Sequence, residues 1–481
     1  MRWSSAGPAA SPREARVSVV ALADFGSTYT KVRLVDPAEG RLLARAEAPT
    51  SIGTDLMDGY AAALGAATAS LGDSVAIDDE LAVSSAGGGL RVAAVGLVAD
   101  LTAAAARQAA LNAGARVEAV LAGNLDEEQL DELQAARPEI ILFAGGTDGG
   151  QAELVLENAR RLAGRRLGGY AVVACNAEVA EEAARLLRAA GTEAEVAANV
   201  MPALGRLEIE SAREAILRAF LDHVIGGKGL SASDAFAQMV KMPTPEAVLE
   251  ATRLLARGTD AEPGVGDLMV VDIGGATTDV HSDHALEAAA PGIEDPLLPP
   301  PPTLRTVEGD LGLRAGAAGV FAADGRWIGA ELEIGEAAIG QAVSRRSGDP
   351  EWIPAEPVEA RLDALLAVGC ATHAVTRHSG TLLLTRSEAG LPTLVREGPD
   401  LREVERVLGT GGVFAHREDG EWILREALQR RAPRSLAPRD PAIGIDDSYI
   451  FAAAGLLATQ DPNAALRLLR RELHLASNQA E

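Results

Sequence analysis

The stretch ALADFGSTYTKVRLVD, residues 21–36, climbs out of a hydrophobic run and sets Asp24 and Gly26 at a turn. Hydroxyl side chains follow, and the chain returns at once to alternating apolar residues. That pattern predicts two strands joined by a tight hairpin with its tip at 26–29. Glycine at such a tip lets backbone N–H groups approach an anion, and Ser27 and Thr28 add hydroxyl donors. An aspartate closing the incoming strand suits a hard cation such as Mg2+.

The same device recurs 248 positions further on in DLMVVDIGGATTDVHS, residues 267–282. Here Asp272 closes a strand, Gly274, Gly275, Ala276 and Thr277 form the tip, and Thr278 and Asp279 open the return. A third glycine-rich turn, VERVLGTGGVF at 404–414, carries Gly409, Gly411 and Gly412. One glycine-rich turn beside an aspartate is usually just a turn; two matched hairpins and a Gly-Gly turn exceed coincidence. The letters Asp-Phe-Gly also occur in protein kinases. No G-x-G-x-x-G-x-V loop, Val-Ala-Ile-Lys strand or His-Arg-Asp loop accompanies them, and there is no Walker motif.

Around these turns, residues 17–50 read as a three-stranded meander, followed by an Ala-rich helix near 55–71. From 81 to 198, apolar strands such as RVAAVGLV, EIILFAGG and GYAVVACN alternate with helical segments, the signature of parallel βαβ units. A helical stretch, 203–258, leads to the second hairpin. PLLPPPPT, 296–303, reads as a stiff extended connector.

At 481 residues the chain calls for roughly two to four domains or subdomains. With aromatics at 3%, the cores must be built from Ala, Val, Leu and Ile. A formal net charge of −25 disfavours nucleic acid and anionic membrane as partners. No apolar run is long enough to span a bilayer, and two distant cysteines, Cys175 and Cys370, suit a reduced compartment, so a cytoplasmic protein is expected. Residues 1–16 lack an apolar signal core and read as a disordered extension.

The order of phosphate hairpin, second phosphate hairpin and Gly-Gly turn resembles the actin/Hsp70/sugar-kinase ATPase superfamily. That resemblance implies an α/β fold of two ribonuclease-H-like lobes clasping ATP, here with an inserted doubly wound α/β region. It makes ADFGSTYTK and VVDIGGATTDV the phosphate loops, VLGTGGVF the adenosine turn and YIFAAAGLL the last connecting helix. With LAVSSAGGGLRVAAVGLV (81–98), FAGGTDGGQ (143–151) and RTVEGDLGLRAGA (305–317), the chain is similar to the MutL/GlmL family from about 17 to 460. Those proteins are accessory factors of adenosylcobalamin-dependent glutamate mutase.

The resemblance implies an ATP- and Mg2+-binding, chaperone-like factor, a weak ATPase that reactivates glutamate mutase or a related mutase, whose subunits it meets. Asp24 and Asp272 would be its catalytic and metal-holding residues. Gly26, Ser27, Thr28, Tyr29, Lys31, the tip 274–277 with Thr278 and Asp279, and Gly409, Gly411 and Gly412 would hold nucleotide. The expected divisions are 17–80 and 266–403 for parts of the two lobes and 81–200 for the insert. Residues 201–265 form a helical connection, and 404–481 hold the adenosine turn and C-terminal helices.

Some readings stay open at this level. Lys31 reaches a phosphate or is solvated. The water-orienting carboxylate is Glu208 or Glu210. Gly145, Gly146 and Asp148 form a ligand edge or a close-packed turn. His281 reads as structural, His223, His373 and His378 lack ligand spacing, and Cys175 ends an apolar strand. Rival functions are a small-molecule kinase of the same fold and an actin-like scaffold. An iron–sulfur dehydratase activator would need clustered cysteines.

Overall fold

β1 (Val20–Phe25) is buried along its whole length because both of its faces meet a core. Val19, Ala21, Ala23 and Phe25 point into one apolar cluster, while Val20 and Leu22 point into another. In the computed structural model, residues 18–51, 53–72, 76–167, 169–225, 229–231, 233–286, 292–386 and 391–475 are described. The extension expected over 1–16 lies outside them.

β1 pairs antiparallel with β2 (Tyr29–Asp36), which pairs antiparallel with β3 (Arg41–Pro49). On its other side β1 runs parallel to β4 (Asp79–Ser84), which runs parallel to β10 (Val240–Pro243). The second large sheet repeats the plan strand for strand. β11 (Leu268–Ile273) pairs antiparallel with β12 (Thr278–Asp283), and β12 with β14 (Thr303–Glu308). β11 also runs parallel to β17 (Arg406–Thr410), and β17 to β18 (Ala442–Ile445). Two sheets with this duplicated topology are the two ribonuclease-H-like lobes of the actin/Hsp70-like ATPase fold.

Alternating side chains set the lobes face to face. Met269, Val271 and Ile273 of β11 enter the second lobe's own core, whereas Leu268 and Val270 join Val20 and Leu22 in a core shared by both lobes. Three helices fill that shared layer, Pro462–Glu472 and the packed pair Thr244–Arg257 and Phe451–Ala458. The pair crosses backbone to backbone, and a Cβ on Gly455 would overlap the Ala247 carbonyl.

Between β4 and β10 the chain builds a third sheet from β5 (Leu90–Gly96), β6 (Ala115–Ala122), β7 (Ile140–Gly145), β8 (Tyr170–Cys175) and β9 (Glu193–Val196). Its order is β6-β5-β7-β8-β9, all parallel. Val92 and Ala94 of β5 face one core, Ala93 and Val95 the other. Such near-continuous apolar strands are what a sheet covered by helices on both faces requires. A small sheet of β13 (Ile293–Glu294), β15 (Thr381–Arg386) and β16 (Pro392–Glu397) completes the second lobe. Among the described residues, no helix is long and apolar enough to cross a membrane.

Candidate functional site

The two hairpins are superposable in hydrogen bonding and register. Gly26 N donates to Tyr29 O at 3.2 Å, and Gly274 N donates to Thr277 O at 2.9 Å. Across the strands Asp24 faces Lys31, and Asp272 faces Asp279. Each aspartate is the penultimate residue of the central strand of its sheet, so the duplicated topology delivers two carboxylates to equivalent strand ends.

Asp24 is almost buried and doubly held. Thr244 Oγ1 donates to its Oδ1 at 2.7 Å, and Lys31 Nζ lies 3.5 Å from its Oδ2. Of the two readings for Lys31, the side chain turns inward: its Nζ also sits 4.0 Å from the centre of the Tyr449 ring. Asp272 keeps an edge open among otherwise protein surroundings, and its carboxyl is pushed up to about 7. Burial is the first cause, followed by the like charge of Asp279; Lys31 pulls the other way, and Asp24 and Asp446 add to the rise. The two hairpin aspartates therefore lie in one electrostatic neighbourhood, short of positive charge.

The third turn closes on the same point. Gly411 has φ +104, and a Cβ there would lie 2.5 Å from Ile273 O and 2.8 Å from Asp272 Oδ1. Gly409 packs under the Phe414 ring, while Gly412 has open space where a side chain would be. Gly411→Ala is expected to cost about 1–3 kcal/mol through the left-handed backbone and the clash with Asp272. Urea denaturation of the two proteins measures it, and an unchanged midpoint would refute this account of the turn.

The remaining hairpin residues divide by what their side chains do. Ser27 and Ala276 are exposed at the tips, and Thr28, Tyr29, Gly274, Gly275 and Thr277 are half-buried. Thr278 is internal, its Oγ1 donating to Leu311 O. Asp279 is engaged by Arg305, whose Nε and Nη2 donate to Oδ1 at 2.9 and 2.6 Å. The segment 305–317 buttresses this hairpin, with Leu313 N and Arg314 N donating to the carbonyls of Gly274 and Gly275.

Several neighbours carried no signal in the sequence. Asp446 lies just past β18, accepting from Thr410 Oγ1 at 2.9 Å and from the N–H of Ile450. Tyr449 adopts φ +55, with its hydroxyl pKa raised by burial and then by Asp272, Asp24 and Asp446. Thr244 opens the helix Thr244–Arg257, which the sequence pattern shows only as part of one helical stretch over 203–258.

Other candidates sit elsewhere. Glu208 pairs with Arg206 and Glu210 with Arg213, and both line a cavity that includes none of the hairpin residues. The helix that reaches Asp24 begins at Thr244, not within 200–215. Asp148 accepts from Ala177 N and Asn199 Nδ2, both at 2.9 Å, and a Cβ on Gly145 would strike Leu97. Its turn is thus stapled and tightly packed. His281 is fully buried; His378 hydrogen-bonds Thr306 and Ser282; His373 pairs with Asp324; and His223 stacks on Tyr170. Burial pushes the Cys175 thiol up to about 12. Among the described residues, no three His, Cys, Asp or Glu side chains converge as metal ligands. Two hard carboxylates beside glycine-lined backbone still fit Mg2+, which usually takes one or two protein carboxylates and completes its shell with phosphate and water.

Three solved structures resemble the chain distantly. A nucleotide-free acetone carboxylase matches at 14% identity and TM-score 0.37, over 92% of this chain and 70% of that one. A glycerol dehydratase reactivase matches at 11% identity and TM-score 0.33, over 92% and 99%. A ROK family glucokinase from Streptomyces griseus, in complex with glucose and AMPPNP, matches at 12% and 0.32, over 93% and 98%. Sequence comparison is far closer. Protein MutL of Clostridium tetanomorphum is 40% identical over 455 residues, covering 94% of this chain and 98% of that protein. The family model described as MutL protein matches residues 20–473, and with nearly the whole chain aligned on both counts, the chain belongs to the MutL family.

Proposed function

We propose that this chain is an ATP-binding accessory protein that maintains or reactivates an adenosylcobalamin-dependent glutamate mutase or a related mutase, with slow ATP hydrolysis opening and closing its lobes. The observation that carries the nucleotide reading is the pair of hairpins in identical register, with Asp24, Lys31 and Asp272 in one neighbourhood beside Gly411. Membership of the MutL family supports the accessory role.

In this reading the tips at 26–29 and 274–277 turn backbone N–H groups toward the phosphates from opposite lobes. Asp24 and Asp272 would hold Mg2+, whose charge would offset that developing on the transferred phosphoryl group. Lys31, fixed between Asp24 and the Tyr449 ring, contributes a positive charge already facing inward. Gly409, Gly411 and Gly412 let the backbone approach adenosine closely. Asp279 is held by Arg305, so it serves the second hairpin by bracing it. Because the two hairpins sit on different lobes, a ligand touching both favours the closed conformer, and closure alters the surface offered to the mutase.

Calorimetry with ATP, with and without Mg2+, tests the first half; saturable binding that requires Mg2+ is expected, and no heat in either condition would end the reading. Adding the protein and Mg·ATP to an inactivated mutase with adenosylcobalamin tests the second. Activity should return only when protein and nucleotide are both present.

A further inference from the structure

The inserted α/β region meets the two lobes on unequal terms. With the first lobe it shares a core: Val92, Ala94 and Ala105 of the insert pack in one apolar cluster with Ala21, Phe25 and Leu56. The chain also leaves and re-enters that lobe through neighbouring strands, β4 and β10. Such continuous close packing makes the insert and the first lobe one body. Against the second lobe the contact is polar and local. Gln108 Nε2 donates to Arg305 O at 3.4 Å, and Asn112 Nδ2 donates to Thr303 O at 3.0 Å. Asn112 Oδ1 accepts from Arg305 N at 3.2 Å, and Arg305 Nη1 donates to Leu111 O and Ala115 O.

The turn that makes this grip, 111–115, touches the supports of both hairpins. Gly114 has φ +77, and a Cβ there would lie 2.9 Å from Pro243 Cβ and 3.1 Å from Glu246 N. Between those two residues stands Thr244, which holds Asp24. On its other side the turn accepts from the guanidinium that holds Asp279. Asn112 and Arg305 are buried, so the bonds between them are made away from water. Parting the lobes would strand donors and acceptors on both sides of a dry seam, a larger loss than the bonds' net worth. Directional bonds of this kind are either made or broken, whereas the apolar core on the other side can slide.

We propose that the insert is a clasp: it rides with the first lobe, and its turn grips the second through Arg305 and Thr303, so that the lobes part only when the grip is released. The proposal rests on the reading of a nucleotide held between the hairpins. It concerns how fast nucleotide enters and leaves, not whether it binds. Asn112 is then a positioning residue. Its hydrogen bonds go to Gln108, Thr303 and Arg305, not to either hairpin, yet they hold the seam that sets lobe separation.

The test is stopped-flow kinetics of a fluorescent N-methylanthraniloyl derivative of ATP, with Mg2+, on the full chain. Asn112→Ala should speed both association and release, release by about tenfold, the scale of losing two hydrogen bonds. Gln108→Ala, which removes one long bond to the second lobe, should do so less. Urea denaturation establishes that both variants fold. Unchanged rates, or faster release with unchanged association, would overturn the clasp, since the latter marks a weakened site and not a freed lobe. A second measurement needs no nucleotide. Spin labels on cysteines introduced by Glu128→Cys in the insert and Glu331→Cys in the second lobe, both exposed positions, report lobe separation. The native Cys175 and Cys370 are buried. Asn112→Ala should add a population at a new separation. If the analogue does not bind the unaltered chain, the nucleotide reading falls and the labels decide alone: an unchanged distance distribution would then overturn the clasp.

Discussion

Asp272→Asn is expected to abolish Mg2+-dependent nucleotide binding while making the ligand-free protein more stable at about pH 8. The folded carboxyl titrates near 7, above its ordinary value of 3.8, because burial and the charges of Asp279, Asp24 and Asp446 disfavour its ionised form. Between those values the folded state holds a proton that the unfolded state has released. The stabilisation from that proton is therefore greatest in acid and is lost as pH rises through 7. Asparagine cannot ionise, so the variant escapes the loss. The stability gap should be small near pH 4 and reach about 1–3 kcal/mol above pH 7, discounted for the open edge of the carboxyl. Glu246 titrates in the same range in both proteins and cancels in the comparison. Urea denaturation across pH measures the gap, and calorimetry with Mg·ATP measures the loss of binding. A gap that does not change with pH would refute the electrostatic account; retained binding would refute the proposed role of Asp272.

Arg305→Met should be among the most destabilising single changes in the chain, at about 3–5 kcal/mol. Arg305 is 2% exposed and its guanidinium joins two parts of the molecule. Nε and Nη2 hold Asp279 on β12, while Nη1 donates at 2.8 Å to both Leu111 O and Ala115 O of the insert. Asn112 reinforces the junction, its Nδ2 donating to Thr303 O and its Oδ1 accepting from Arg305 N. Methionine fills similar space but strands a buried carboxylate and two carbonyls. Adding Asp279→Asn removes the stranded charge, so the double variant should be less destabilised than the sum of the singles. Denaturation midpoints of the four proteins form the cycle. Additive losses would show that Arg305 and Asp279 do not act as a pair.

The hairpins were legible because everything that makes them is local. Gly26 and Gly274 free the tip, apolar alternation runs on both sides, and the Asp24–Lys31 and Asp272–Asp279 pairs follow from seven-residue spacing in register. The parallel insert was legible for a similar reason: strands such as IILFAG and YAVVAC are apolar on both faces and separated by helix-length intervals. The same local view misdirected attention to 200–215, since it could not show which helix lies against Asp24. It also assigned Thr278 and Asp279 to nucleotide without sight of Leu311 and Arg305, their partners inside the fold.

By itself, the sequence determined the paired hairpins, the Gly-Gly turn and the family, since backbone turns and strand alternation depend on residues within a few positions of one another. Only the tertiary structure decided which groups surround those hairpins. Thr244 reaches Asp24 across 220 positions, and Arg33 reaches the Ser448 carbonyl across 415. The acidity of Asp272 and the inward set of Lys31 arise where burial removes water and strengthens charge interactions. Those depend on which distant surfaces pack together, and no local pattern encodes that.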